Sequence, residues 1–245
     1  MENKELKEMI DQEIKRVNND YIMQEKNITI EPKDMAKYID HTVLKAETTP
    51  QDIVKLCKEA KENHFFSVCI NPAYVSLAKE ELENSEVKIA TVIGFPLGAN
   101  DTTVKAYETQ IAREDGADEF DMVINVGMLK NKYYDYVLND IKSVVEAADG
   151  KLVKVIIETC YLTKEEKIAA CLLSKLAGAQ FVKTSTGFGT NGATKEDVSL
   201  MKFVVGDELK VKASGGVRDF DGALTMIKNG AERIGASAGI KIINS

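Results

Sequence analysis

The feature that most constrains how this chain can fold is an alternation. Short apolar runs of strand character recur eight times, at 38–44, 67–71, 88–94, 118–125, 152–158, 180–183, 210–213 and 233–236, with helix-patterned stretches between them. Most of these runs are continuously apolar, as parallel strands covered on both faces are. No linker rich in Pro, Gly or Ser interrupts the alternation, so the fold class expected is α/β, a single (β/α)8 TIM barrel. The helix boundaries carry their own signals. Thr49, Pro50 and Asp52 fall at the N-cap, N1 and N3 positions before Ile53, Leu56, Cys57 and Ala60. Thr163 with Glu166 forms a capping box, Thr194 with Asp197 and then Asp219 open later helices, and Gly116 suits a left-handed helix end.

Residues 1–31 stand apart in composition. Leu6, Met9, Ile10, Ile14 and Val17 recur at helical spacing among Glu, Lys and Asp, the pattern of an amphipathic helix docked on the barrel or on another subunit. Two parts are therefore expected, an N-terminal helical extension over 1–31 and a barrel domain over 32–245.

Chemistry in such barrels sits at the C-terminal ends of the strands. The sixth run ends in QFVKTSTGFGTNG, residues 180–192, where Lys183 closes an apolar strand and Thr184, Ser185, Thr186 and Gly187 follow. Burial disfavours an ammonium, and a free amine attacks carbonyl carbon. Hydroxyls and approachable backbone N–H groups suit an oxyanion or a phosphate. Taken alone, Lys183 reads more readily as a stem packed at a strand end with its head in water, and the second lysine stretch is what changes that reading. The seventh run ends in KVKASGGVR, residues 210–218, and repeats the design with Lys212, Ser214, Gly215 and Gly216. Two like charges ~4 Å apart repel by about 4 kcal/mol at an effective dielectric of ~20, so Lys212 would favour the free amine of Lys183.

Gly235 and Ser237 end the eighth run beside the glycine pair, in the loops after strands seven and eight where these barrels often hold phosphate. Asp121 within the fourth run is either a proton shuttle or one half of a salt bridge with a core lysine. Asp40 on the first run is a strand-end cap or a hydroxyl-binding group. His41 reads as a satisfied histidine and Cys69 as core, while Lys154 and Glu158 share a strand face and are expected to pair with each other.

Composition narrows the partners. A net charge of −7 argues against non-specific nucleic-acid binding, and 44% hydrophobic residues supply an ample core. Four cysteines without a C-x-x-C pair and only two histidines offer zinc little, so no metal and no cofactor are expected. With no apolar stretch long enough for a membrane span and no signal-peptide core, no membrane partner and a cytoplasmic location are expected.

The blocks IDHTVLK (39–45), SVCINP (67–72), EFDMVINVG (119–127), KVIIET (154–159), FVKTSTGF (181–188), KASGGVR (212–218) and IGASAG (234–239) occur in order and resemble the deoxyribose-phosphate aldolase family. The resemblance implies a metal-free Schiff-base aldolase that cleaves 2-deoxy-D-ribose 5-phosphate to glyceraldehyde 3-phosphate and acetaldehyde, in deoxyribose phosphate catabolism. It implies Lys183 as the Schiff-base lysine, Lys212 as its perturbing neighbour and Asp121 as the proton-relay carboxylate. Thr186, Gly187, Ser214, Gly215, Gly216, Gly235 and Ser237 would surround the phosphate, and Asp40 and Thr42 would lie near the sugar hydroxyls. A homo-oligomer, dimer or tetramer, is expected. Two departures stand out: Phe188 follows the KTSTG block where some relatives carry a lysine, and no tyrosine follows Tyr161 where some relatives end in a tyrosine-bearing tail. Another Schiff-base lyase acting on a different phosphorylated or keto sugar, or a phosphate-binding protein on a decayed barrel, remain the alternatives.

Overall fold

The computed structural model describes residues 3–245, so the first two residues of the expected N-terminal extension lie outside it. Eight strands form the barrel: β1 Ile39–Val43, β2 Ser67–Ile70, β3 Lys88–Ile93, β4 Glu119–Val123, β5 Leu152–Ile156, β6 Phe181–Lys183, β7 Lys210–Ser214 and β8 Arg233–Ala236. They pair in chain order, every pair parallel, and β8 closes on β1 through Asp40 opposite Gly235. The helices are α1 Asn3–Asp20, α2 Pro50–Glu62, α3 Val75–Glu81, α4 Thr102–Asp115, α5 Val126–Lys130, α6 Tyr134–Ala147, α7 Lys164–Leu176, α8 Lys195–Val205, α9 Phe220–Lys228 and α10 Gly239–Ile243.

Local chemistry explains the boundaries. Thr49 and Thr163 each close a reciprocal capping box, with Asp52 and Glu166, and Thr194 and Asp219 accept from the third helical N–H of α8 and α9. Gly116 ends α4 at φ 114°, where any side chain would be strained. On α1, Leu6, Ile10 and Val17 are fully buried and the helix packs on α6 and α7 of its own chain. Met9, expected on the same stripe, stays exposed.

Two layers of side chains result. Outward-facing strand residues such as Ile39, Val68, Ile89, Phe120, Val155 and Val182 meet the helices in one continuous apolar core. The barrel interior is different. A small apolar group, Leu44, Cys69, Ala90, Val92 and Phe95, covers one side. The rest is filled by buried charge from Asp40, Glu119, Asp121, Lys154, Lys183, Lys212 and Arg233. Residues on alternate positions of a strand share a face, and all seven are on the inward one.

Several strands stop one or two residues before the limits read from the sequence. The largest consequence falls at Glu158, expected to end the fifth strand: β5 stops at Ile156, and Glu158 adopts φ 52°, ψ 67° before a short 3-10 turn. The expected Lys154–Glu158 pair therefore does not form. Lys154 turns instead to Glu119 at 2.5 Å and Asp121 at 2.7 Å.

Candidate active site

At the C-terminal mouth a cavity of about 390 Å³ is lined by Lys183, Thr186, Gly187 and Phe188 from the loop after β6, Ser214–Arg218 after β7, Gly235–Ser237 at β8, and Thr42–Lys45 after β1. A larger cavity of about 570 Å³ lies at the N-terminal mouth, lined by Lys61, His64, Phe66 and Lys88 among others, and none of the strand C-terminal ends reaches it.

The floor of the C-terminal cavity is built on one carboxylate. Asp121 Oδ2 accepts from Lys183 Nζ at 2.8 Å and from Lys212 Nζ at 2.7 Å, while Oδ1 accepts from Lys154 Nζ at 2.7 Å. The β6–β7 register sets Lys183 level with Lys212, and the β4–β5 register sets Asp121 level with Lys154. Two neighbouring strand pairs thus converge on one point inside the barrel. Burial opposes the charge on Asp121, yet Lys154, Lys183 and Lys212 outweigh it and hold the carboxyl well below its ordinary range. Burial likewise favours a neutral Lys212, but Asp121 and Asp40 hold it as an ammonium well above the usual lysine range. The direct repulsion between Lys183 and Lys212 expected from sequence is therefore mediated: a carboxylate stands between the two.

Asp40, expected near the sugar hydroxyls, lies in the barrel interior beside Lys212. It is fully buried and its oxygens are taken up by Lys212 and Arg233. Against the cost of burial those two cations keep it ionised. Thr42 does line the cavity, although its hydroxyl donates to the Asp40 carbonyl at 2.8 Å. Cys69 is buried as expected, and its Sγ sits 4.0 Å from Asp121 Oδ2, with burial pushing the thiol up. His41 faces away from the interior and pairs through Nε2 with Glu59 at 2.7 Å.

The residues expected around a phosphate divide into two groups. Thr186 and Ser214 are already engaged: Thr186 donates its N–H and its hydroxyl to Glu158, and Ser214 donates its hydroxyl to the Ser185 carbonyl at 2.6 Å and its N–H to Thr184 Oγ1 at 3.0 Å. The second group is open. Among the described residues, the N–H groups of Gly187, Gly215, Gly216 and Ser237 have no protein acceptor, and a Cβ built on Gly216 would meet nothing within 4 Å. Gly235 serves a different purpose. A Cβ there would stand 2.9 Å from Ser214 Cβ and 3.1 Å from Lys212 Cε, so its missing side chain is what lets the lysine stem pass.

Sequence reasoning did not assign roles to Arg218 and Lys45, which bring positive charge to the cavity wall, or to Glu158 as the anchor of the loop after β6. The signal for Arg218 was its place in SGGVR. For Glu158 there was none, because its contact depends on the strand ending early. Phe188 stacks edge-on against Phe95, with ring centroids 5.4 Å apart, and separates the main cavity from a smaller apolar one of about 130 Å³ lined by Leu97, Val123, Val126 and Tyr161.

Fold and mouth together define a TIM barrel whose C-terminal end presents a buried, carboxylate-bound lysine beside open backbone N–H groups. The profile of the DeoC/LacD family aldolases matches residues 34–245, and the chain belongs to that family. Deoxyribose-phosphate aldolase from Thermotoga maritima is 65% identical over 211 residues, 86% of this chain and 85% of that protein. The Clostridium tetani enzyme of the same name is 61% identical, covering 86% of this chain and 98% of the relative. Among solved structures, one from Coccidioides immitis superposes with a TM-score of 0.95 at 43% identity, covering 100% of this chain and 97% of the other. A tetrameric deoxyribose phosphate aldolase from Aeropyrum pernix gives 0.83 at 31% identity, covering 96% and 95%.

Proposed function

We propose that this chain is a deoxyribose-phosphate aldolase that cleaves 2-deoxy-D-ribose 5-phosphate reversibly through a Schiff base on Lys183. The activity follows from the family and from relatives of that name at 60–65% identity over most of the chain. The observation that carries the residue assignment is the placement of Lys183 Nζ, 2.8 Å from Asp121 Oδ2 and at the edge of the cavity.

In this reading the free amine of Lys183 attacks the aldehyde carbon C1, and loss of water gives an iminium. The iminium draws the electron pair of the C2–C3 bond toward C2 as a base removes the C3 hydroxyl proton, and glyceraldehyde 3-phosphate departs. The two-carbon enamine left on Lys183 takes a proton at C2 and is released by water as acetaldehyde. Asp121, whose Oδ2 is shared by Lys183 and by Lys212 held as an ammonium, is the protein's means of moving those protons, directly or through water. The phosphate rests on the open N–H groups of Gly187, Gly215, Gly216 and Ser237, with Arg218 and Lys45 contributing charge, and holds the reacting carbons in place. Thr186 and Ser214 shape this cradle from behind, Gly235 makes room for Lys212, and Thr42 lines the sugar end.

A homo-oligomer in the cytoplasm completes the reading, supported by the tetramer described for the Aeropyrum pernix relative and by four free cysteines among the described residues. No described helix is long and apolar enough to cross a membrane. The start of the family match at residue 34 supports 1–31 as an extension and 32–245 as the aldolase domain.

The test is acetaldehyde release from 2-deoxyribose 5-phosphate, followed by borohydride reduction with acetaldehyde and mass mapping. A two-carbon adduct on Lys183 is expected, with turnover unaffected by chelators. An adduct mapped to Lys212, or none at all, overturns the assignment.

A further inference from the structure

The charged set inside the barrel extends well below the cavity floor. From Lys183 two paths run downward and meet again. One goes through Asp121 Oδ1 to Lys154 at 2.7 Å, on to Glu119 at 2.5 Å and then to Arg233 Nη2 at 2.9 Å. The other goes through Asp121 Oδ2 to Lys212 at 2.7 Å and then through Asp40 to Arg233. Arg233 closes the loop with its fork, offering Nε and Nη2 to Asp40 and Nη1 and Nη2 to Glu119, and Phe66 lies under its guanidinium at 3.5 Å.

The charge count of this closed set is uneven. Four cations, Lys154, Lys183, Lys212 and Arg233, face three carboxylates, Asp40, Glu119 and Asp121. β2 adds only Ser67 and the Cys69 thiol, β3 adds Ala90 and Val92, and Lys88 and Lys210 at the N-terminal mouth are exposed to solvent. With every group ionised this linked set holds one surplus positive charge; Glu158, a further buried carboxylate at the C-terminal mouth, is turned to Thr186 and outside the set. Arg233 does not release a proton, and Lys212 is held as an ammonium from two sides. Lys183 contacts a single carboxylate, where Lys154 and Lys212 each contact two, and it alone of the four cations lines this cavity.

We propose that Arg233 and Glu119, which touch neither the cavity nor the reacting atoms, are positioning residues whose opposite charges set the pH at which the Lys183 amine becomes free to react. The proposal rests on Lys183 being the Schiff-base lysine. Its sign is fixed by the count. Removing the Arg233 cation leaves three cations against three carboxylates, so the proton on Lys183 is retained to higher pH. Removing the Glu119 charge leaves four against two, and the proton departs at lower pH. A purely structural role for the two residues would slow both variants without moving them in opposite directions.

The experiment follows borohydride trapping of acetaldehyde on Lys183 as a function of pH in Arg233→Met, Arg233→Lys and Glu119→Gln. The midpoint of the rise in trapping is expected to move up by roughly one pH unit in Arg233→Met and down by a similar amount in Glu119→Gln, while Arg233→Lys, which keeps the charge, stays near wild type. If Arg233→Met does not fold, Glu119→Gln decides alone, since only a downward shift agrees with the count. Folded variants whose adduct maps to Lys183 with unmoved midpoints, or with midpoints moving the same way, overturn this inference and leave the Schiff-base assignment standing. Wild-type protein that traps nothing at Lys183 overturns both.

Discussion

The chain buries lysine in two places, and the two are built differently. Between α4 and α6, Lys105 Nζ donates to Asp140 at 2.5 Å and to the Val123 carbonyl at 3.0 Å, both side chains fully buried. One cation meets one carboxylate, and burial dominates each: Lys105 is pushed down from its ordinary value and Asp140 up. Inside the barrel, Asp121 meets three lysines, and charge dominates burial. A balanced pair is a fastening that ties α4 and α6 to the end of β4. The unbalanced set opens onto the C-terminal cavity through Lys183. Burial of a lysine, by itself, marks neither.

Breaking the comparison from the barrel side gives the largest effect. Lys183→Met is expected to abolish borohydride trapping and lower turnover by at least roughly ten-thousandfold, as loss of a covalent nucleophile does, while thermal unfolding shifts little because the surplus charge is gone. Stability that collapses along with activity would mean Lys183 is a fastening too. From the other side, Lys105→Met leaves Asp140 without its partner and is expected to cost about 3–5 kcal/mol in denaturant unfolding, with the turnover of the remaining folded enzyme near wild type. Full stability in that variant would remove the contrast.

The open end of the cavity offers a smaller effect. Gly216→Val adds a side chain where nothing stands within 4 Å, at φ 80°. A loss of roughly tenfold to a hundredfold in kcat/KM on the phosphorylated sugar is expected, with a much weaker loss on 2-deoxyribose itself. Equal losses on both would show that the glycine serves only the backbone. The smallest effect lies in acid unfolding. The folded value for Asp121 is depressed below the unfolded value of ~3.9, so its stabilisation is complete above about pH 4 and fades as pH falls further. Asp140 has the opposite sign: its folded value is raised, so the folded state takes up that proton first and its penalty is relieved on acidification. Asp121→Asn should therefore flatten the acid limb of stability and Asp140→Asn steepen it slightly.

What the sequence made legible follows from range. Strand order, capping boxes and the lysines at the ends of β6 and β7 are local signals, and they could be read directly. The five-residue helices α5 and α10 were missed because periodicity needs more than one turn to declare itself. Glu119, Lys154 and Arg233 come from separate strands, and nothing in their own neighbourhoods announces that barrel closure brings them to one point. The pairing of Asp40 is hidden for the same reason, since its partners lie on β7 and β8.

The anchoring of the loop after β6 has a thermodynamic consequence. Glu158 grips Thr186 through two donors, Phe188 N–H donates back to Thr186 Oγ1 at 3.0 Å, and Ser214 fastens Thr184 and Ser185 to β7. The cradle is thus organised when the chain folds, and an arriving phosphate has little conformational entropy to remove from it. Calorimetry of phosphate-ester binding should then register a heat-capacity change no larger than the ligand's own buried surface requires, without the additional signature of a segment folding around it.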